Sequence, residues 1–300
     1  MPRCTACIAT YRRPEGLRRL LNSIEAQELD RSVDLDVIVV DNDPETARAV
    51  VEDFEQTGRF PIRYLTQPEP NISVTRNVAV EAATGELLWF VDDDEVASPG
   101  CLQRLVDALE RFDASGVFGP VLPEFEGDPP EWVRRSSAYN RPIGVTGRTS
   151  ISYRTSNTLV RADVLGEMEG PFDPDFGVSG GSDSLLFRAL AERGHRFIDS
   201  GDASVTELVP EARANWSWMR TRFRRQGQNY ARQIVVLSGG IANPRVVAML
   251  LKAAIQIPPM LGLAAIRWHR RHDRNEALLR LWSNVGKYEG VAGVMSARHH

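Results

Sequence analysis

The sequence predicts an α/β fold with a mostly parallel central sheet flanked by helices, followed by a helical carboxyl-terminal extension. Over residues 4–91, short apolar runs alternate with segments in which apolar residues recur every three or four positions. This alternation is typical of a doubly wound sheet with right-handed crossovers between parallel strands. From Glu211 onward the pattern is almost wholly helical. A chain of 300 residues, 42% of them hydrophobic, can bury the core of one large domain and an appendage.

The amino-terminal elements follow from these runs and spacings. Four short apolar runs predict buried strands, at 4–10, 33–40, 62–65 and 87–91. Three segments predict the helices between them, at 17–24, from Pro44 to Phe54, and from Asn71 to Ala83. The third segment starts on polar residues and is closed by Gly85, which indicates a capped helix.

The second half of the chain is less regular. A helix is predicted from Ser98, a strand at 116–122, regular structure again at 151–160, a helix at 182–193, and short strands near Phe197 and Val205. Residues 123–149 are rich in Pro, Gly, Trp and Arg. A loop this long in a compact domain is usually functional or disordered, and its aromatic residues argue against disorder.

The strand at 87–91 runs directly into four acids, Asp92, Asp93, Asp94 and Glu95. A buried strand does not normally run into four carboxylates unless something neutralises them. Mg²⁺ and Mn²⁺ prefer carboxylate oxygens and leave coordination positions open for phosphate. We therefore predict a metal-diphosphate site at the carboxyl end of this strand, where open α/β sheets bind ligands. The alternative is a solvated acidic turn.

Other polar residues are predicted to reach the same edge of the sheet. Thr10, Tyr11 and Asp41 follow the first two strands. The helix that starts at Asn71 offers backbone amides and Arg76 to a diphosphate. The alternative for this helix is that Ser73 caps it and Arg76 pairs with a surface acid.

A glycine-rich cluster supplies a candidate general base. Gly180, Gly181 and Ser182 precede Asp183 at the predicted start of a helix. Glycines allow a ligand to approach the backbone, and a carboxylate at a helix amino terminus is held ionised. Asp183 can therefore act as a general base, unless it is only a helix cap.

One more acid and two arginines complete the candidate set. Glu207 ends a short strand, and Arg213 and Arg222 follow it. We expect Glu207 to join the metal ligands and the arginines to stabilise a diphosphate leaving group.

The charge of the chain is strongly asymmetric. Residues 211–300 hold 15 Lys and Arg against 4 Asp and Glu, a net charge of +11, whereas residues 1–210 carry −15. A basic tail favours an anionic partner such as nucleic acid, an anionic membrane or a phosphorylated substrate. With three cysteines and no signal peptide at its start, the chain is expected in the cytoplasm.

The basic tail also contains a long apolar segment, Val246 to Trp268. Its length suits a membrane span, but we expect Pro258-Pro259 to split it into two pieces too short to cross. With arginines beside it, the segment is predicted to lie in a membrane interface. A buried helical hairpin of a soluble domain is the alternative.

Taken together, the motifs resemble those of family 2 glycosyltransferases, which have the GT-A fold. They occur in the family's order: Ile8-Ala9-Thr10-Tyr11-Arg12-Arg13-Pro14, Val39-Val40-Asp41-Asn42, Asn71-Ile72, Arg76-Asn77 and Phe90-Val91-Asp92-Asp93-Asp94-Glu95. Three further stretches resemble bacterial exopolysaccharide glucosyltransferases of the succinoglycan type: Val117-Phe118-Gly119-Pro120-Val121, Gly180-Gly181-Ser182-Asp183 and Val205-Thr206-Glu207-Leu208-Val209-Pro210. The resemblance covers roughly residues 4–230.

The resemblance implies a role for each matched residue. Asp183 matches the catalytic base of a single-displacement inverting mechanism, and Ser182 stands where the family usually has Glu. Asp92 and Asp94 match the Asp-x-Asp motif, with Asp94 the direct ligand of Mn²⁺ or Mg²⁺ and Asp92 nearer the ribose. Asp93 points away from both if the backbone there is extended. The expected nucleotide-sugar contacts are Thr10, Tyr11, Arg13, Asp41, Asn71, Arg76, Asp92 and Asp93. Gly180, Gly181, Ser182, Arg213, Arg222 and Trp132 are expected at the diphosphate or the acceptor.

These implications define the expected activity. The chain would transfer a hexose from a nucleoside diphosphate sugar, a UDP-sugar by expectation, to a glycan or lipid-linked glycan at the cytoplasmic face of the inner membrane, without nucleic acid as a partner. Residues 1–122 would bind the donor, 123–210 the acceptor, and 211–300 the anionic membrane. The alternatives are a sugar nucleotidyltransferase and an inactive sugar-nucleotide-binding scaffold.

Overall fold

The computed structural model describes residues 2–30, 33–43 and 46–295. Two compact units are present. The first comprises Met1–Leu122, Ile143–Val178 and Ser182–Glu207, and the second comprises Pro123–Pro142, Ser179–Gly181 and Leu208–His300. The predicted helix start at Pro44 lies outside the described residues.

The described strands form two sheets. In chain order they are β1 Arg3–Thr10, β2 Asp34–Asp41, β3 Ile62–Thr66, β4 Leu87–Phe90, β5 Glu95–Ala97, β6 Gly116–Phe118, β7 Val121–Phe125, β8 Thr158–Arg161, β9 Phe197–Asp199 and β10 Val205–Val209. The larger sheet has the order β3-β2-β1-β4-β8-β6-β9, and the smaller one β5-β10-β7.

The large sheet is parallel except for β8. Strand β1 pairs in parallel with β2 and β4, and β6 pairs in parallel with β9. Strand β8 lies between β4 and β6 and is antiparallel to both. The carboxyl ends of β1, β2 and β4 therefore share one edge with the amino end of β8. This arrangement confirms the predicted mostly parallel sheet.

Helices cover both faces of this sheet. The first unit contains α1 Pro14–Glu25, α2 Arg48–Thr57, α3 Ile72–Ala82, α4 Cys101–Arg111, α6 Ala162–Gly166 and α7 Ser182–Glu192, whereas the second contains α5 Glu131–Arg134, α8 Trp216–Leu237, α9 Pro244–Ile266 and α10 Arg271–Val291. Leu20 of α1 and Leu105 of α4 are buried in one core layer, and Ala79 of α3 and Leu186 of α7 are buried in another. Burial on both faces explains the continuous apolar strand runs.

One predicted strand and one segment of predicted regular structure differ from the structure. Residues 116–122 form parts of two strands, because Gly119-Pro120 interrupts them and β7 joins the smaller sheet. Of the segment 151–160, only residues 158–160 pair in a strand, as part of β8 Thr158–Arg161. The residues before it form a loop at the edge of the sheet where β4 ends.

The second unit is built mainly from α8, α9 and α10. Glycines permit a close approach of α8 and α10: a Cβ on Gly227 would meet the carbonyl oxygen of Ser283, and one on Gly286 would meet that of Arg224. Arg224 and Glu289 connect the same helices through an ion pair.

Helix α9 corrects the prediction that Pro258-Pro259 divides the apolar segment. The helix continues through both prolines for 23 residues. Because proline has no N–H group, Pro258 and Pro259 leave the carbonyl groups of Ala254 and Ile255 without their helical partners. All four residues are exposed, so these carbonyl groups are not buried without a hydrogen bond. By length and composition, the helix is long and apolar enough to cross a membrane.

Candidate active site

The four acids after β4 form a turn that is stabilised from within. The backbone N–H of Asp92 donates to Oε2 of Glu95 at 2.9 Å. Glu95 is buried, and its strand register pairs it with Glu207. Burial, together with the nearby Asp92, raises the pKa of Glu95 well above its ordinary value. Glu95 therefore shapes the acidic turn from beneath it.

Asp93 is the buried centre of a network that joins the ends of β1 and β4. Its Oδ2 accepts a hydrogen bond from Thr10 Oγ1 at 2.9 Å and lies 3.4 Å from the backbone N of Tyr11. One nitrogen of Arg13, Nη1, donates to Asp93 at 2.9 Å and to Asp94 at 2.8 Å. Because the backbone turns here, Asp93 points back to β1 and Arg13, a position that the sequence did not predict.

Burial and charge act in opposite directions in this network. Burial raises the pKa of Asp93 to about 6, although Arg13 and Thr10 act to lower it. Burial lowers the pKa of Arg13, but attraction by Asp93 and Asp94 more than offsets that effect, so its pKa is raised. The arginine therefore stays charged and neutralises two of the four acids.

Local backbone geometry brings Arg13 to the acids. Arg12 has φ of 54°, which turns the chain sharply between β1 and α1. A Cβ on Gly16 would lie 2.5 Å from the carbonyl oxygen of Asp93. Glycine at this position thus allows the first turn of α1 to pack against the acidic turn.

Asp92 is held by two side chains that come from different elements. Arg76 of α3 donates to its Oδ1 at 3.2 Å, and Ser156 donates to its Oδ2 at 2.8 Å. This contact puts Arg76 at the edge of the sheet where the sequence predicted it. Asn71, rather than Ser73, caps α3 by accepting from the amides of Ser73 and Val74.

The residue before Ser156 contacts Asp183. The backbone N of Thr155 lies 3.4 Å from Asp183 Oδ2, and Asp183 Oδ1 accepts from the N–H of Ser184 at 2.7 Å. Two consecutive loop residues thus connect the Asp92 carboxylate and the Asp183 carboxylate.

The loop of residues 154–157, which contacts both carboxylates, was not predicted from the sequence. Burial lowers the pKa of Arg154, whose side chain donates to the carbonyl oxygen of Gly119 at 2.5 Å. Asn157 donates to the carbonyl oxygen of Ala203 at 2.7 Å. These residues are polar and match no motif, so the local sequence does not mark them as part of a site. Their position follows from the antiparallel direction of β8, which puts its amino end beside the carboxyl end of β4.

Asp41 lies at the same edge but is fully engaged in the loop that follows β2. Its oxygens accept from the amide of Asp43 at 3.0 Å, the amide of Ala47 at 2.9 Å and the hydroxyl of Tyr64 at 2.8 Å. These bonds give Asp41 a structural role beside its predicted contact with the nucleotide.

The remaining predicted residues have contacts within their own units. In the first unit, Ser182 is buried and its Oγ makes no hydrogen bond to any described residue. In the second, the backbone oxygen of Gly181 accepts from Gln233 at 3.0 Å, and Gly180 has φ of 85°. Trp132 packs against Trp216, Arg213 accepts a hydrogen bond from Tyr139 at its backbone oxygen, and Arg222 lies over the ring of Trp218.

The chemistry of the donor set fits a hard divalent cation. Among the described residues, no group of three or more His, Cys, Asp or Glu side chains forms a complete protein cage. Mg²⁺ and Mn²⁺ do not require one when substrate phosphates complete the coordination. Asp92 and Asp94 provide two carboxylates, which Arg76 and Arg13 neutralise in this structure. Ser182 and Thr155 add buried hydroxyl groups without a hydrogen-bond partner in the described chain.

Comparisons with known proteins identify the family of the chain. The chain is 32% identical to succinoglycan biosynthesis protein ExoM of Rhizobium meliloti over 96% of its own length and 92% of that protein. It is 26% identical to the glucosyl-dolichyl phosphate glucuronosyltransferase of Haloferax volcanii over 77% and 76% of the two chains. The structure of mannosyltransferase PcManGT from Pyrobaculum calidifontis, solved with GDP-Man and Mn²⁺, superimposes with a TM-score of 0.65 at 19% identity and covers 96% of this chain and 87% of that one. Residues 5–167 match the model of glycosyl transferase family 2, and the chain therefore belongs to this family.

Proposed function

We propose that this glycosyltransferase is an inverting enzyme that moves a hexose from a nucleoside diphosphate sugar to a glycan or lipid-linked glycan, with Asp183 as its general base. The observation that carries the proposal is the loop at 155–156, which contacts both Asp92 and Asp183. It supports a site in which the donor diphosphate lies near Asp92 and the acceptor hydroxyl near Asp183.

The proposed step is a single displacement. The acceptor hydroxyl transfers its proton to Asp183 while its oxygen attacks the anomeric carbon of the sugar. The bond between that carbon and the diphosphate oxygen breaks, and the electron pair leaves with the nucleoside diphosphate. Attack from the opposite face inverts the configuration. The amide of Ser184 at 2.7 Å orients the Asp183 carboxylate for this transfer.

Asp94 and Asp92 are the residues that we propose to hold Mn²⁺ or Mg²⁺, with Glu207 as a further candidate. A bound divalent cation would neutralise charge that develops on the departing diphosphate. Arg76, already beside Asp92, can act on the same charge. Thr10, Tyr11, Arg13, Asp41 and Asn71 remain the proposed donor contacts.

The proposed division of labour along the chain is the one expected from the sequence. We assign donor binding to residues 1–122 and acceptor binding to 123–210, where Gly180, Gly181, Trp132 and the loop 123–149 lie. The basic residues 211–300 would face an anionic membrane from the cytoplasm, and Arg213 and Arg222 remain proposed contacts of the diphosphate or the acceptor. The relative from Haloferax volcanii, whose name includes a dolichyl phosphate, supports a lipid-linked acceptor.

The role of Asp183 is tested by Asp183→Asn. Transfer should fall by at least about a thousandfold because the amide cannot accept the proton, whereas UDP binding should remain. Asp163→Asn is a matched control, since Asp163 also lies in the first turn of a helix and accepts from the next amide, at 2.8 Å. Near-normal turnover by Asp183→Asn would remove this residue as the base.

The donor and the metal are tested by a thermal-shift screen of nucleotides and nucleotide sugars with and without Mn²⁺. A ligand that binds the folded state raises its stability. We expect UDP and a UDP-sugar to raise the melting temperature only when Mn²⁺ is present. A larger shift with GDP than with UDP would contradict the prediction that the donor nucleotide carries uracil.

A further inference from the structure

The second unit contains a cavity of whose wall residues only Trp132 has been proposed as an acceptor contact. It has a volume of about 440 Å³. Its walls come from α5 with its flanking residues and from the start of α10: Pro130, Glu131, Trp132, Arg135, Arg270, Arg271, His272 and Asp273. Bonds from Ser136 and Ser137 to Glu276 fasten the two elements to each other. The cavity is therefore a feature built by folding.

The walls of the cavity carry arginines with which no described residue pairs. The side chains of Arg135, Arg270 and Arg271 form no ion pair or hydrogen bond with any residue that the structure describes. Of the two acids on the wall, Asp273 is already neutralised by Arg267 at 2.9 Å, which leaves Glu131 against three arginines. Unpaired arginines around a concave surface are suited to a phosphate group, which their planar fork binds in bidentate fashion.

Two further groups in the cavity wall favour an anion. Nδ1 of His272 is buried and has no hydrogen-bond partner among the described residues. Arg270, the N-cap residue of the 21-residue helix α10, makes no capping bond with its side chain. The first amides of this helix therefore lack the usual side-chain acceptor, and an anion can replace it.

Helix α9 ends at Ile266, four residues before Arg270 of the cavity wall, and it carries an exposed apolar surface. Ile255, Ile266 and Trp268 are 73%, 77% and 68% exposed. The other face of α9 packs on its own unit through Val246, Met249 and Ala253, which are buried. No Asp or Glu occurs between Ala212 and His272. An apolar face with a tryptophan at its end and no acid is suited to the interface of a bilayer, not to nucleic acid.

We propose that this cavity binds the phosphate of an anionic lipid while the exposed face of α9 lies in the bilayer interface. The helix is in the plane of the membrane because its buried face is occupied by α10, whose Tyr288 donates to the backbone oxygen of Leu250 at 2.8 Å. Arg270 follows α9 within four residues, which places the arginines at the depth of the headgroups. The inference deepens the proposed membrane contact by giving it a site, and it does not depend on the sugar that is transferred.

The test is co-sedimentation of the full chain with phosphatidylcholine vesicles that do or do not contain phosphatidic acid. The double variant Arg135→Gln/Arg271→Gln should bind phosphatidic acid vesicles roughly tenfold more weakly than the unaltered chain. Arg245→Gln/Arg280→Gln removes the same charge from α9 and α10 outside the cavity, and it should weaken binding less than about threefold. Circular dichroism verifies that both variants are folded.

Three results would overturn the proposal. Equal weakening by both double variants would indicate diffuse attraction without a site. Unchanged vesicle binding by the cavity variant would show that these arginines do not bind the lipid phosphate. Cavity-dependent binding of inorganic pyrophosphate, together with vesicle binding that does not depend on the cavity, would assign the site to a soluble phosphate. Hydrolysis of the UDP-sugar without vesicles, measured in parallel, reports on the proposed transferase function independently.

Discussion

Ser156 donates a hydrogen bond of 2.8 Å from its Oγ to Oδ2 of Asp92. The preceding residue, Thr155, directs its backbone N at Asp183 from 3.4 Å. The distance between the proposed donor-binding carboxylate and the proposed base is thus governed by one short loop. Loops of this kind usually carry function when a rigid sheet fixes their ends, as β8 does here.

Replacing Ser156 tests whether this loop positions Asp92. Ser156→Ala should lower kcat/KM roughly tenfold, because a hydrogen bond to a charged group contributes about 1.5 kcal/mol or more. Calorimetric titration should show weaker donor binding, whereas melting should change little. Ser217→Ala, at an exposed position of α8, is the control and should leave both properties unchanged. Full activity in Ser156→Ala would contradict the positioning role.

Replacing Arg13 tests whether it neutralises the acidic turn. Arg13→Gln should lower the free energy of unfolding by about 2 kcal/mol in metal-free buffer, because Asp93 and Asp94 would lose a partly buried partner. Urea denaturation measures this change. The neighbouring Arg12→Gln breaks an exposed ion pair with Asp43 and should have little effect. If both variants lose the same stability, burial of the Arg13 network is not what stabilises the turn.

Two glycine-to-alanine changes in the second unit should have opposite effects. Gly286→Ala should destabilise the protein by about 2 kcal/mol, since the added Cβ would collide with the carbonyl oxygen of Arg224. Gly262→Ala meets nothing within 4 Å and should raise stability by roughly 0.5–1 kcal/mol through helix propensity. Thermal unfolding of the two variants measures the direction of each change in stability. A stabilising Gly286→Ala would mean that α8 and α10 are farther apart than described.

The ion pair between Arg224 and Glu289 should make the free energy of unfolding depend on pH in the acidic range. The hydrogen bonds from Arg224 hold the pKa of Glu289 below its ordinary value of 4.5, with a smaller contribution from Gln228. A lowered carboxyl pKa stabilises the folded state above the unfolded pKa, and this contribution is lost as pH falls through the folded value. Between about pH 5 and pH 3, the free energy of unfolding should therefore decrease less steeply in Glu289→Gln than in the unaltered chain. Equal slopes in urea titrations across this range would show that the pair contributes nothing.

The nature of the neutralising groups could not be predicted from the acids alone. The run from Asp92 to Glu95 suggested a cation, and the donor set still fits one, but the folded chain already supplies Arg13 and Arg76. Arg13 precedes α1, far from the acids in sequence, and Arg76 lies in α3, which the sequence predicted at this edge as a diphosphate contact. Only the packing of α1 and α3 beside β4 brings them to the turn.

The sequence by itself determined the mostly parallel sheet, the succession of its first four strands along the chain, the acidic turn after β4 and the basic helical tail. These features depend on hydrophobic periodicity, caps and charge, which are properties of short segments. The tertiary structure decided that β8 inserts antiparallel between β4 and β6, that residues 154–157 therefore reach Asp92 and Asp183, and that α9 continues through Pro258-Pro259. Strand pairing and solvent exposure depend on partners far away in the chain, and no local pattern contains them.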